Sequence, residues 1–156
     1  MILRPATAAD TDFVRELSTE AFAAFGDYRD LLPRWTAAPG VSCWLAVEGD
    51  RRIGFAMVGF YFADAARTWV YADLLAIAVV EEARGRGVGR ALVRKAIDVA
   101  RAGRAHFDVR ELRLTVAEPN ERARRLFASE GFVVSDEDHG HYDHGQRALR
   151  MSRPVP

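Results

Sequence analysis

With a single cysteine, Cys43, in 156 residues, the chain has neither an internal disulfide nor a cysteine-based structural zinc site open to it. Ser42 and Trp44 beside it read as strand, which makes the thiol a small buried hydrophobe. Neither sign of charge is in excess: Lys plus Arg and Asp plus Glu number 22 each. No overall field therefore draws the chain to nucleic acid or to an anionic membrane surface. The basic residues are almost all arginine. No apolar run reaches the roughly 18 residues that a membrane-spanning helix needs. Met1-Ile2-Leu3 passes at once into Arg4-Pro5, which lacks the apolar stretch of a secretory leader, so a reducing, cytoplasmic setting is expected. Repeats, linkers and low-complexity tracts are also missing. What is there, 49% hydrophobic and 28% charged residues, is the balance of one globular domain over residues 1–156 with room for a core.

Periodicity alternates between strand and helix. Residues 2–4 read as a short strand. Thr7, Ala8, Ala9 and Asp10 resemble a capping box with aspartate in the glutamate place, opening a helix with Phe13, Leu17 and Ala21 or Ala24 on one face. A second, short helix is expected over about residues 28–35, stopped by Pro39-Gly40. Two stretches rich in β-branched and aromatic residues, 41–48 and 52–62, flank Gly49-Asp50, a hairpin turn. Residues 68–80 form another strand, apolar enough toward its end to suggest burial on both faces. From 87 to 102 the pattern is helical, with Val88, Ala91, Leu92, Ala96 and Val99 on one side and Gly103 as its stop. Residues 112–116 alternate as a strand, and Pro119-Asn120 leads into a helix bearing Ala123, Leu126 and Phe127. Residues 132–134 and 148–153 complete the sheet around a polar loop. This order is that of an α/β domain with a mixed sheet rather than a doubly wound one.

The chemistry concentrates where Ala76-Ile77-Ala78-Val79-Val80 runs through Arg84-Gly85-Arg86-Gly87-Val88-Gly89-Arg90 into the amphipathic helix. A buried strand here delivers a glycine-rich, basic turn onto a helix N-terminus. Glycines permit positive φ, so successive N–H groups can converge on one concavity, and the helix end adds partial positive charge. A phosphate or diphosphate suits such a turn. The glycine spacing is not that of a dinucleotide-binding fold, and no Gly-Lys-Ser/Thr tripeptide exists for a P-loop.

Arg84-x-x-Gly87-x-Gly89 resembles the acetyl-CoA signature of the GNAT superfamily of N-acetyltransferases. The superfamily's second block is also similar: Leu112-x-Leu114-x-Val116, then Asn120-x-x-Ala123-x-x-Leu126-Phe127-x-x-x-Gly131-Phe132. The opening Leu3-Arg4-Pro5-Ala6-Thr7 and the hairpin around Gly54 fit the same pattern, so the resemblance spans almost the whole chain. It implies a single-domain fold with a mixed, mostly antiparallel sheet of about seven strands, splayed at the centre and flanked by about four helices. It implies acetyl-CoA as co-substrate, and acetyl transfer directly to a primary amine in a ternary complex. The turn from Arg84 through Gly85, Arg86, Gly87, Val88 and Gly89, with Arg90, would hold the diphosphate. Ile77, Ala78 and Val79 would pair with the pantetheine arm as an added strand, and the Ile77 amide would face the thioester oxygen. Asn120 would contact the arm; by itself it also reads as the N-cap of its helix.

An amine of pKa near 10 is only about 0.1% free base at neutral pH, so a general base raises the competent fraction. Asp73 aligns with the acidic residue that serves many relatives so, with a substrate-anchoring or purely structural carboxylate as the even alternative. The tyrosine that often protonates the leaving thiolate is replaced by Phe127, which packs but donates nothing. Tyr142 is the substitute considered. A thiolate leaving unprotonated is the other reading, since a thiol pKa near 8.5 makes a fair leaving group. The missing tyrosine keeps a non-catalytic CoA-binding or sensor module open as an alternative, alongside a transferase using another acyl-CoA.

His139, His141, Asp143 and His144 reproduce the His-x-His-x-Asp-His string of metallo-β-lactamase-fold hydrolases. That fold draws further ligands from far downstream, where this chain has neither histidine nor acidic residue. No metal is therefore expected, and a polar loop near the acceptor is the reading taken. The acceptor amine itself is not legible; Phe22, Phe25, Tyr28, Trp35 and Tyr61 either line its pocket or belong to the core. Nucleic acid and membrane are not expected partners, and a homodimer stays open.

Overall fold

Alternating apolar residues build one seven-stranded sheet from β1 (Ile2–Pro5), β2 (Val41–Glu48), β3 (Arg51–Phe62), β4 (Val70–Val79), β5 (Val109–Ala117), β6 (Val133–Asp136) and β7 (Ala148–Pro154). The order is β1-β2-β3-β4-β5-β7-β6, and every neighbouring pair is antiparallel except β4 and β5. The computed structural model describes residues 1–27, 34, 36 and 38–156. Among these, α1 (Thr11–Phe22), α2 (Val88–Ala102) and α3 (Glu121–Ser129) are the α-helices. The helix expected near residues 28–35 lies almost wholly outside the described residues. The architecture is the α/β mixed sheet expected, with strand ends within about three residues of those read from patterning.

The sheet is apolar on both faces. On one, Val88, Leu92, Val93, Ala96, Ile97 and Ala100 of α2 pack on Ile53, Ala56, Val58, Leu74, Leu112 and Leu114, with Phe127 and Phe132 closing the cluster. On the other, Val14 and Leu17 of α1 pack on Leu45, Phe55, Met57, Ala76 and Ala78, with Cys43 buried among them as expected. Burial pushes the Cys43 thiol up to about 12, which keeps it protonated and inert. The expected helix faces hold in large part, with Phe13 and Ala21 of α1 and Val99 of α2 packed, half-buried, against these clusters. In α1 the buried residues are Val14, Leu17 and Ser18, and Ala24 is exposed because the helix ends at Phe22. In α2, Ala91 and Val99 are only half-buried; a helix lying flat on a sheet buries a broader stripe centred elsewhere.

The capping box is present, and Asp10 does more than cap. Its carboxylate accepts from the Thr7 amide (2.7 Å), Arg4 Nη1 (2.8 Å) and Arg52 Nε (2.7 Å), and it is 1% exposed. One buried carboxylate thus ties β1 and β3 to the start of α1, and the Arg4 guanidinium holds it well below the usual carboxylate range. Asp10→Asn is expected to cost about 3 kcal/mol in urea denaturation at neutral pH. A depressed carboxyl stabilises the fold above its unfolded value of 3.8. The gap between variant and parent should therefore close as pH falls below about 4.

Two irregularities of β4 position the site. Its register with β3 steps from Met57↔Ala76 to Val58↔Leu74, so Leu75 is an extra residue: a β-bulge. The bulge switches faces, sending Leu74 to the α2 side while Leu75 and Ala76 go to the α1 side. Beyond it, pairing of β4 with β5 stops at Leu74↔Leu114, although the strands run on to Val79 and Ala117. The burial expected on both faces of this strand is accordingly incomplete. Tyr71, Asp73, Leu75, Ile77 and Val79 are half-buried.

Candidate active site

Between the parted ends of β4 and β5 lies a cavity of about 320 Å³. Asp73 and Ile77 line it from β4, Thr115 from β5, Asn120 and Phe127 from the α3 side, and Phe25 and Tyr142 from the α1 side. Backbone alternation decides which groups face it. Val80 donates to the Ile53 carbonyl of β3 (2.9 Å). In an antiparallel ladder alternate residues face the same neighbour, so Ala78 and Ala76 also spend their polar groups on β3. Ile77 and Val79 turn theirs into the gap. Of the three residues expected along an extended ligand, Ile77 keeps both polar groups for one and Val79 its N–H, since the Val79 carbonyl already accepts from Arg84.

At one end of the gap, residues 84–87 make the turn into α2. Gly85 and Gly87 have φ of 76° and 83°, and a Cβ at either would meet nothing within 4 Å. The turn is open space lined by main chain, and the first N–H groups of α2 beyond Gly87 have no partner within the helix. An anionic diphosphate fits these donors. Gly89 serves differently: a Cβ there would lie 3.3 Å from Leu126 Cδ2, so its smallness lets α3 approach α2. The arginines brace the turn. Arg84 Nε donates to the Val79 carbonyl (3.1 Å), and Arg86 reaches Glu48 (3.4 Å). Arg90 binds Ser129 Oγ (2.9 Å) and Glu130 (2.5 Å). The Arg90 charge expected beside phosphates is thus engaged with a carboxylate on the α3 side. Asn120 caps α3, accepting from the Ala123 amide (3.3 Å), and Phe127 is buried edge-on to Phe132 at 5.9 Å between centroids.

At the other end stands Asp73, opposite Gly59 on β3 and Arg113 on β5. Burial raises its carboxyl to about 6, against the opposing pull of Arg113, Arg150 and His139. This brings its titration closer to neutrality than that of an exposed carboxylate. Gly59 leaves room for Tyr61 to fold across it; a Cβ there would fall 2.6 Å from the Tyr61 hydroxyl. Tyr61 and Tyr71 lie 5.7 Å apart, and Arg113 sits 3.9 Å above the Tyr71 ring while pairing with Glu111.

Comparison with known proteins matches this arrangement to a family. The sequence profile of the acetyltransferase (GNAT) family matches residues 10–132. The chain belongs to this family. It is an acetyltransferase, with acetyl-CoA as co-substrate. An uncharacterized N-acetyltransferase of Methanocaldococcus jannaschii is 27% identical over 100% of this chain and 93% of its own. Among solved structures, Arabidopsis thaliana NAA60 in complex with acetyl-CoA superposes with a TM-score of 0.82 at 17% identity, covering 99% of this chain and 98% of that one. A ribosomal-protein-alanine N-acetyltransferase from Brucella melitensis gives 0.79 at 21% identity, covering 99% and 100%. At these identities the two structures establish a shared fold.

The acetyltransferase spreads its histidine string apart. His144 Nδ1 and Gln146 Nε2 both donate to the Ala24 carbonyl after α1 (2.9 and 2.8 Å), while His139 lies 3.4 Å from Asp136. Among the described residues no group of three His, Cys, Asp or Glu side chains could hold a metal, and no helix is long and apolar enough to cross a membrane. The loop instead clasps the end of α1 and sets Tyr142 against Phe25 at 5.2 Å. Arg113 and Arg150 act on the Asp73 carboxylate, although motif spacing does not single them out. Their signal is period-two alternation, with Arg113 between Leu112 and Leu114 and Arg150 between Leu149 and Met151.

Proposed function

We propose that the protein acetylates a primary amine of a peptide or small molecule by direct attack on bound acetyl-CoA in a ternary complex. The observation that carries the reading is the shared cavity between β4 and β5, bordered by Asp73 toward α1 and by Asn120 and Phe127 toward α3. A cofactor entering from the α3 side and an amine entering from the α1 side meet there without a carrier residue between them.

Acetyl-CoA supplies an activated thioester carbonyl. The protein's part is positioning and proton movement. The turn amides at Gly87, Val88 and Gly89 bind the diphosphate, while Ile77 and Val79 pair with the amide-bearing arm as an added strand. The Ile77 N–H, aimed into the gap, donates to the carbonyl oxygen as negative charge grows on it. Asp73 takes the proton from the attacking amine, directly or through one water. Phe127 excludes water at the sulfur without donating a proton. Tyr142, which lines the same cavity, is the candidate donor; a departing thiolate can equally leave unprotonated.

Turnover with acetyl-CoA across a panel of peptides, polyamines and small amines tests this. At least one amine should release CoA stoichiometrically with an N-acetyl product. Tight CoA binding without turnover on any amine would replace the reading with a non-catalytic binding module, and turnover only with a longer acyl-CoA would change the donor.

A further inference from the structure

The face around Asp73 gathers charges of both signs. Arg113, Arg150 and, when protonated, His139 act on the Asp73 carboxylate, and an amine arriving as a cation is repelled by any of them left unbalanced. Two of the three are already engaged: Arg113 by Glu111 and the Tyr71 ring, His139 by Asp136. Arg150 is not. It lies opposite Thr115, a cavity-lining residue of β5, and opposite Asp136 of β6. The residue is half-buried, and its side chain makes no hydrogen bond or ion pair among the described residues. Asp73 and Asp136 act on it without direct contact, so its N–H donors stay open to a further acceptor.

Register places this group on the acceptor side. Asp73, Arg113 and Ser152 are opposite one another across β4, β5 and β7, and Arg150, two residues before Ser152, shares their face. Two interstrand steps and a two-residue offset along β7 separate the Arg150 backbone from that of Asp73 by about 12 Å, a span that the long arginine side chain partly closes. Resting on the amine-acetylation reading, we propose that Arg150 binds a carboxylate of the acceptor, so that the preferred substrates are amines bearing an acidic group a few bonds away. An acidic side chain early in a peptide and the carboxylate of a small amino acid share this chemistry.

The test compares a short peptide with a free N-terminus and glutamate at its second position with glutamine and lysine twins, and free glutamate with its diamide. Each is measured by kcat/KM and by calorimetric binding to the CoA-loaded protein. The glutamate peptide should exceed its glutamine twin by about tenfold or more. Arg150→Glu should invert the order in favour of the lysine twin, and Arg150→Lys should restore part of the original preference. A preference confined to free glutamate assigns the carboxylate to a small acceptor and still supports Arg150 as its receptor. Equal handling of glutamate and glutamine, with ratios unmoved by Arg150→Glu, overturns the assignment. Binding selectivity is read whether or not acetyl groups move, so selective binding without turnover sinks the acetylation reading and leaves this one standing.

Discussion

A Gly87→Asp variant is expected to bind no measurable acetyl-CoA by calorimetry while keeping its circular dichroism spectrum. Gly87 has a φ of 83° and stands at the N-cap of α2 with nothing within 4 Å of a Cβ. A side chain there would meet no protein atom and would project into the space before the helix's first amides. Aspartate is a favoured N-cap, so its carboxylate would accept from those N–H groups itself and fill the anion site from within. What it did not fill it would repel, carboxylate against diphosphate. Displaced hydrogen bonds and repulsion together should lower affinity by about a hundredfold or more. The left-handed conformation costs a non-glycine residue roughly 1 kcal/mol, a strain shared by asparagine. Gly87→Asn therefore controls for it, and for the cap, without the charge: it should weaken binding less than aspartate does. Unchanged affinity in Gly87→Asp would remove this turn from the cofactor site.

That turn is legible in the amino-acid sequence because its determinants are local. Glycine spacing, the strand before it and the helical period after it occupy one continuous segment. The same holds for the Gly49-Asp50 hairpin, where Glu48 pairs Arg51, and for Asn120 capping α3. The gap that makes the turn useful is another matter. The bulge at Leu75 sits in Asp73-Leu74-Leu75-Ala76-Ile77, a run with no glycine or proline to announce it. It exists only as a relation between the registers of β3 and β4. Asp10 is similar: its partners are Arg4 and Arg52, the latter on another strand. Arg90 is expected beside phosphates because sequence shows its charge and not Glu130, the carboxylate that engages it. Arg150 comes onto one face with Asp73 only after three strands are aligned. Sequence thus carries what one segment can specify, while charge balance at the acceptor end is a property of the assembled sheet.

Asp73→Asn is expected to lower kcat/KM by about a hundredfold or more at pH 7, the usual scale for a general base. The loss should shrink at alkaline pH, where the amine is already free base. In the parent enzyme kcat/KM should rise through about pH 6, where burial has moved the Asp73 carboxyl. Asparagine, unable to titrate, should erase that limb. Stability should move oppositely. The carboxyl titrates at 3.8 unfolded and about 6 folded. The folded state therefore binds more protons between those values, and stability falls as pH rises through them. Above about pH 6 the parent bears the full cost of a buried charge, which asparagine lacks. The variant should accordingly melt higher than its parent at pH 7 and no higher below pH 4. A more stable yet much slower enzyme separates lost chemistry from damaged folding. A rate loss equal at every pH would instead make Asp73 an anchor for the acceptor. An unchanged rate would move the proton acceptor elsewhere on the face shared with Tyr61 and Arg150.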